Sequence, residues 1–389
     1  MPASLSEFSL IDRFFARRAA RGARAATLGI GDDCALFAPR SGKLLAISTD
    51  MLVEGRHFFP DVAPHALGHK TLAVNLSDLA AMGAEPRAFT LACALPRADA
   101  AWLEAFSDGL FALAERFGCE LIGGDTTSGP LNLCVTVFGE VAPDAALRRD
   151  AARDGDDVWV SGTLGDARAG LGVARGEWTA GAQEAAVFRA ALERPEPRVA
   201  LGLALAGVAH AALDLSDGLA GDLQHILERS RVRADIDADA VPRSAALATL
   251  PPDVQRRCTL AGGDDYELCF TAPAAARAAV EAAGTGARRR GHANRYNTRV
   301  VHAVGAARDR VARRRRRAPR SHVARFRPLP CRLTRRPRAP RPTPAQRPTR
   351  RDAPPCASCS RIPRTCCRSG SAAASRRSCP ARSARCSAG

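Results

Sequence analysis

Residues 70–86 read KTLAVNLSDLAAMGAEP, and the stretch predicts a helix with an anomaly inside it. Ala66–Met82 is helical in composition and is stopped by Gly83 and a turn at Glu85-Pro86. Within that helix Asp78 stands among Leu72, Leu76, Leu79 and Met82, where a carboxylate removed from water needs a partner.

Outward from Asp78 the same signature recurs, an Asp beside Gly, Ser or Thr at the end of an apolar run. The other cases are Gly29-Ile30-Gly31-Asp32-Asp33, Ser48-Thr49-Asp50, Gly123-Gly124-Asp125, Asp214-Leu215-Ser216-Asp217-Gly218 and Gly262-Gly263-Asp264-Asp265. Taken singly, each reads as turn chemistry or a helix N-cap. Taken together, carboxylates placed where elements stop can converge on one cleft, and like charges persist there only around a cation. Asp33, Asp50, Asp78, Asp125, Asp214 and Asp217 are the natural set for several Mg²⁺ ions holding phosphates. No G-x-x-x-x-G-K-[ST] occurs, and Lys43 and Lys70 are the only lysines, which excludes a P-loop. Gly123-Gly124-Asp125-Thr126-Thr127 offers backbone N–H groups to a nucleotide phosphate instead.

The elements around these motifs predict an α+β protein of two domains. A helix opens at Ser6–Ala19 with Ser6 as N-cap, strands follow at Leu44–Ser48 and Leu131–Gly139, and a second helix spans Ala101–Phe117. The polar segment Arg148–Asp157 sets the boundary between residues 1–148 and 149–287. Beyond it, helices are expected at Asp166–Val173, Ala185–Leu192, Pro197–Val208 and Ser216–Glu228, with strands at Val158–Val160, Ala234–Ile236 and Glu267–Thr271.

The formal charge of +17 is unevenly distributed. Residues 288–389 hold 30 Arg, no Lys and only Asp309 and Asp352 as acids, a net +28, so residues 1–287 carry −11. The patterned part is therefore acidic. The tail is rich in Arg, Pro, Ala, Ser and Cys and too poor in apolar residues to offset its chain entropy, which predicts disorder. The abrupt change of composition points to a coding sequence read out of frame after about residue 287, because GC-rich DNA read one base off yields those residues. The rival reading is a basic nucleic-acid-binding tail, against which only Tyr296 and Phe326 supply aromatics. Cys356, Cys359, Cys366 and Cys367 have zinc-like spacing but no flanking His. The scattered Cys34, Cys93, Cys119, Cys134, Cys258 and Cys269 read as small core residues in a reducing compartment. No apolar run reaches the length of a membrane span and no signal region opens the chain, so a cytoplasmic location without membrane contact is expected.

In order along the chain, Glu7-Phe8-Ser9-Leu10-Ile11, GIGDDCALF (29–37), AISTDMLVEGRHF (46–58), KTLAVNLSDLAAMGAEP (70–86), LIGGDTTSGPL (121–131), DLSDGLAGDL (214–223) and GGDDYELCF (262–270) closely resemble bacterial thiamine-monophosphate kinases. That family shares a fold superfamily with aminoimidazole ribonucleotide synthetase and selenophosphate synthetase. The resemblance covers about residues 5–275 and implies the two-domain fold of that superfamily, with mixed or antiparallel sheets and helices, here with a truncated second domain. It also implies a homodimer formed through the first domain's sheet.

The activity implied is Mg²⁺-dependent transfer of the γ-phosphoryl of ATP to thiamine monophosphate, giving thiamine diphosphate and ADP. The implied metal ligands are Asp33, Ser48, Thr49, Asp50, Asp78, Asp125, Asp214 and Asp217, with Asp50 and Asp125 central to catalysis. Gly124, Asp125, Arg149 and Ser216 would hold ATP, and His57 and Asp264 would face thiamine monophosphate. Asp264 departs from the family's Gly-Gly-Glu-Asp-Tyr-Glu-Leu by one methylene, which leaves Asp265 as a competitor for its role. The rival enzyme reading is another ATP-using member of the superfamily acting on a different small substrate.

Overall fold

In a computed structural model that describes residues 7–22, 25–289 and 299–306, the chain begins with short helices α1 (Glu7–Leu10) and α2 (Arg17–Ala19). A π-helical turn at Ile11–Ala16 joins them, and together they bury Leu10, Phe14 and Phe15. The expected cap, Ser6, lies outside the described residues. A loop then leads to β1 (Leu44–Val53), α3 (Pro64–Ala81), β2 (Glu85–Leu95), α4 (Ala100–Phe117), β3 (Glu120–Ser128) and β4 (Asn132–Val141). The strands lie in the order β1-β4-β2-β3. Pairing is antiparallel except between β2 and β3, where α4 supplies the crossover that parallel neighbours require. Asp99 caps α4 by accepting from Ala101 N and Trp102 N, and Gly118 ends it with φ 60°.

Two strands of this sheet are hidden in the sequence. Pro86 reads as a breaker, yet β2 runs through it because its register against β4 shifts between Pro86 and Ala88, so the missing N–H falls at an irregularity in the ladder. Gly123 and Gly124 read as a turn, yet both lie within β3. A Cβ on Gly124 would stand 1.9 Å from the Leu91 carbonyl oxygen of β2, so only glycine permits that approach.

The second half contains β5 (Asp156–Val160), α5 (Asp166–Ala174), α6 (Ala182–Glu193), α7 (Val199–Leu205), β6 (Ala211–Asp214), α8 (Leu219–Ser230), β7 (Val232–Ala234), α9 (Pro252–Ala261), β8 (Leu268–Pro273), α10 (Arg277–Arg289) and β9 (Arg299–Ala306). Its strands are ordered β6-β8-β5-β9-β7, antiparallel at each described pairing. β9 lies in the stretch that composition assigned to the tail. Its Val-Val-His-Ala-Val run (300–304) is strand-like but is masked in the sequence by neighbouring arginines, and it bridges β5 to the three-residue β7. The second sheet therefore extends past residue 287. The tail beyond Ala306, including its cysteines, lies outside the described residues.

Helix α3 joins the two halves. Its apolar Leu67, Leu72, Leu76 and Leu79 are all at most 1% exposed, and they share a core with Leu201 and Leu205 of α7 and with Trp159 and Phe270 of the second sheet. The Trp159 and Phe270 rings lie 6.2 Å apart and nearly parallel. Among the described residues no helix is long and apolar enough to cross a membrane.

Candidate active site

Alternation along β1 decides which of its side chains meet α3. Ser48 and Asp50 face the helix. Ser48 Oγ donates to Asp78 Oδ2 at 2.5 Å, and the Asp50 N–H donates to Asn75 Oδ1 at 3.0 Å. Asn75 and Asp78, three residues apart, occupy one side of α3, and the Asn75 amide is fixed by donating to the Thr71 carbonyl. Thr49, between them, points to the opposite face of the sheet, where its hydroxyl lies 2.9 Å from that of Thr136. The Thr49 side chain therefore stands apart from the expected ligand group.

Asp214 joins this cluster from the end of β6. Burial, followed by the charge of Asp78, pushes its carboxyl up to about 7. Asp50 rises to about 6, first through burial and then through Asp78. Burial also raises Asp78, against the Ser48 hydrogen bond and the positive Arg149. Three elements thus bring the carboxyl groups of Asp50 and Asp214 within repelling range of Asp78.

The remaining residues are less buried. Asp33 is exposed in the loop that bridges Leu28 to Leu36. Asp125 is exposed on β3 opposite Ala92, beside the glycine that lets the strand approach β2. Ser216 and Asp217 are exposed in the turn between β6 and α8. That turn is held by Asp222, whose Oδ2 accepts from Asp217 N and Gly218 N, both at 3.0 Å. Arg149 is exposed, with its carbonyl accepting from Ser230.

Among the described residues no group of three or more His, Cys, Asp or Glu side chains forms a ready-made metal cage. Mg²⁺ rarely uses one, since it keeps waters and binds through one or two carboxylates plus substrate phosphates. Half-buried Asp50 and Asp78 beside buried Asp214, like-charged and with few cations at hand, fit that manner of binding.

Beside this cluster lies a small cleft of about 50 Å³, partly open to solvent, whose lining includes His57, Phe58, Lys70, Arg175, Glu193 and Asp264. His57 sits in a tight turn in which its Nδ1 accepts from Val53 N at 3.0 Å, leaving Nε2 as the protonated nitrogen of the neutral ring. Asp264 adopts φ 66° and Tyr266 φ 50°, conformations uncommon outside glycine and concentrated at functional sites. The loop is fastened to the Asp214 turn by Asp264 N to Ser216 O and Tyr266 N to Leu215 O.

Asp264 and Asp265 separate cleanly. Asp264 lines the cleft, whereas both oxygens of Asp265 accept from Gly165 N at the start of α5. Tyr266 lies within range of Asp264 and of the carboxylate cluster: its hydroxyl donates to Asp264 Oδ1 at 3.4 Å, and its phenol is raised well above the ordinary value by burial and then by Asp264, Asp50 and Asp214.

Reading the sequence did not single out Asn75, Asp222, Tyr266 or Lys70 as site residues. The last carried a usable signal, a lysine inside a run of apolar helix, which demands an internal partner as Asp78 does.

Comparison with known proteins matches residues 31–141 to the N-terminal domain of AIR synthase related proteins and residues 153–293 to their C-terminal domain. The thiamine-monophosphate kinase of Salmonella typhimurium is 49% identical over 280 residues, which are 71% of this chain and 86% of that protein. The crystal structure of thiamine-monophosphate kinase from Stenotrophomonas maltophilia superposes with a TM-score of 0.70 at 48% identity, covering 78% of this chain and 95% of the other. AaThiL complexed with AMPPCP and TMP superposes with a TM-score of 0.59 at 30% identity, covering 78% and 91%. With its motifs in order, its carboxylates gathered and most of its relatives' length matched, this chain belongs to the thiamine-monophosphate kinase family.

Proposed function

We infer that the protein transfers the γ-phosphoryl group of ATP to the phosphate of thiamine monophosphate, giving thiamine diphosphate and ADP. The observation that carries this reading is the convergence of Asp50, Asp78 and Asp214 next to a cleft lined by His57 and Asp264. The nucleophile is a phosphate oxygen, anionic at neutral pH, so positioning and charge neutralisation suffice and no strong base is required.

Asp33, Asp50, Asp78, Asp125, Asp214 and Asp217, with Ser48 and the backbone of Thr49, would hold Mg²⁺. When bound, the metal neutralises charge on the phosphates, which the bare carboxylates would repel. Gly124, Asp125, Arg149 and Ser216 would hold ATP from exposed positions on β3, ahead of β5 and in the turn between β6 and α8. His57 and Asp264, which both line the cleft, would face thiamine monophosphate. The uncovered face of the first sheet would pair with a second copy of the chain.

Incubation with ATP, Mg²⁺ and thiamine monophosphate should yield thiamine diphosphate, measured by chromatography. Asp50→Asn should lower kcat by about two orders of magnitude or more, since its carboxylate is asked to act on the transferring group. The variant should unfold at a temperature near that of the parent. Near-normal turnover in the folded variant at saturating Mg²⁺ would sink the assignment of Asp50.

A further inference from the structure

Lys70 is placed where a lysine is costly. It lies in the middle of α3 with a side chain 2% exposed, and a buried ammonium persists only with an anion and hydrogen-bond acceptors around it. Both are present, and they come from two different segments that line the cleft. Nζ donates to the His57 carbonyl at 3.2 Å, in the turn after β1, and to Asp264 Oδ1 at 3.0 Å, in the loop before β8. Residues distant in sequence, 57 and 264, are thereby tied through one nitrogen. An ammonium has three donors, so one more N–H remains for the cleft that Lys70 itself lines.

The tie explains two other observations. Asp264 keeps φ 66° although it is not glycine, and a carboxylate held by an internal cation supplies part of the constraint such a conformation needs. Asp264 is also one methylene shorter than Glu, and at 3.0 Å from Nζ its oxygen is within ordinary reach of Lys70.

We propose that Lys70 is a positioning residue of the acceptor site, setting the His57 turn against Asp264 so that both segments meet thiamine monophosphate in one fixed geometry. This rests on the reading of the cleft as the acceptor site. Lys70 bonds to none of Gly124, Asp125, Ser216 or the clustered carboxylates, so its loss should act mainly on one substrate.

The test compares Lys70→Met, Lys70→Arg, Asp264→Asn and the double variant Lys70→Met/Asp264→Asn by steady-state kinetics and by calorimetric binding of thiamine monophosphate. Lys70→Met should raise KM for thiamine monophosphate by about ten-fold or more while KM for ATP stays within about two-fold. The double variant should be no worse than the poorer single one, because both remove the same tie. Lys70→Arg keeps the charge but changes the fork, and should give a smaller loss of the same selectivity even if the methionine variant folds poorly.

Equal effects on both substrates, no effect on either, or multiplying effects in the double variant would overturn the role of Lys70. If the parent protein binds ATP but not thiamine monophosphate, the reading of the cleft falls, and Lys70's role with it. If the parent binds thiamine monophosphate and the folded Lys70 variants bind it as tightly, only Lys70's role falls.

Discussion

Asp264 and Asp265 are neighbours with the same side chain, and the backbone gives them different work. The left-handed turn at Asp264 sends one carboxylate to the cleft, and the next is buried against the N-terminus of α5. There burial raises Asp265 well above the ordinary carboxylate range, against the Gly165 N–H, with Glu267, Asp166 and Asp264 adding to the rise. A group that holds its proton more tightly folded than unfolded stabilises the fold less as pH rises from the unfolded value of about 4 towards the raised one. Asp265→Asn keeps an acceptor for Gly165 and removes the titration. The variant should therefore lose less stability between pH 5 and pH 8 than the parent, read as the difference in urea unfolding free energy at the two values. Identical pH slopes would show that Asp265 is as easily ionised folded as unfolded.

At the scale of elements, α7 and the start of β8 are joined by a buried ion pair. Arg198 Nε donates to Glu267 Oε2 at 2.6 Å, a second guanidinium nitrogen donates to Oε1, and Ser161 also donates to the carboxylate, with Arg198 and Glu267 side chains 7% and 6% exposed. Because this pair anchors the end of the loop that carries Asp264 and Tyr266, Glu267 shapes the site without lining the cleft. Arg198→Met should cost about 3–5 kcal/mol in denaturant unfolding by stranding a buried carboxylate, and adding Glu267→Leu should recover much of that loss. A cost below about 1 kcal/mol for the single variant would mean that water reaches the pair. The sequence showed α3 and α4 within two residues, since helical periodicity and a glycine stop are local signals. It hid β2 and β3, whose Pro86 and Gly124 are tolerated only through a register shift and a close approach to a neighbouring strand, both tertiary facts. It pointed to the carboxylates by their recurrence, but the tie through Lys70 required knowing that residues 57, 70 and 264 meet.

For the whole molecule, the two faces of β1 differ in chemistry. One face presents Ser48 and Asp50 to α3. The other presents Leu45, Ile47 and Met51, which are 37%, 59% and 51% exposed, on the side of the sheet that α3 and α4 leave uncovered. An apolar stripe along a strand of an acidic body is expensive to leave in water, and two-fold pairing with a second copy would close it. Such a contact would hold β1 flat and thereby steady Ser48 and Asp50 from behind, so dimerisation and turnover should fall together. Ile47→Glu combined with Met51→Glu places like charges on the stripe and in facing copies, which opposes pairing. Light scattering after size exclusion should give twice the chain mass for the parent and the chain mass for the double variant, with kcat reduced in the variant although none of its changes faces the carboxylates. A parent that runs as a monomer at micromolar concentration would leave the stripe without this partner, and a monomeric variant with full turnover would separate the dimer from the chemistry.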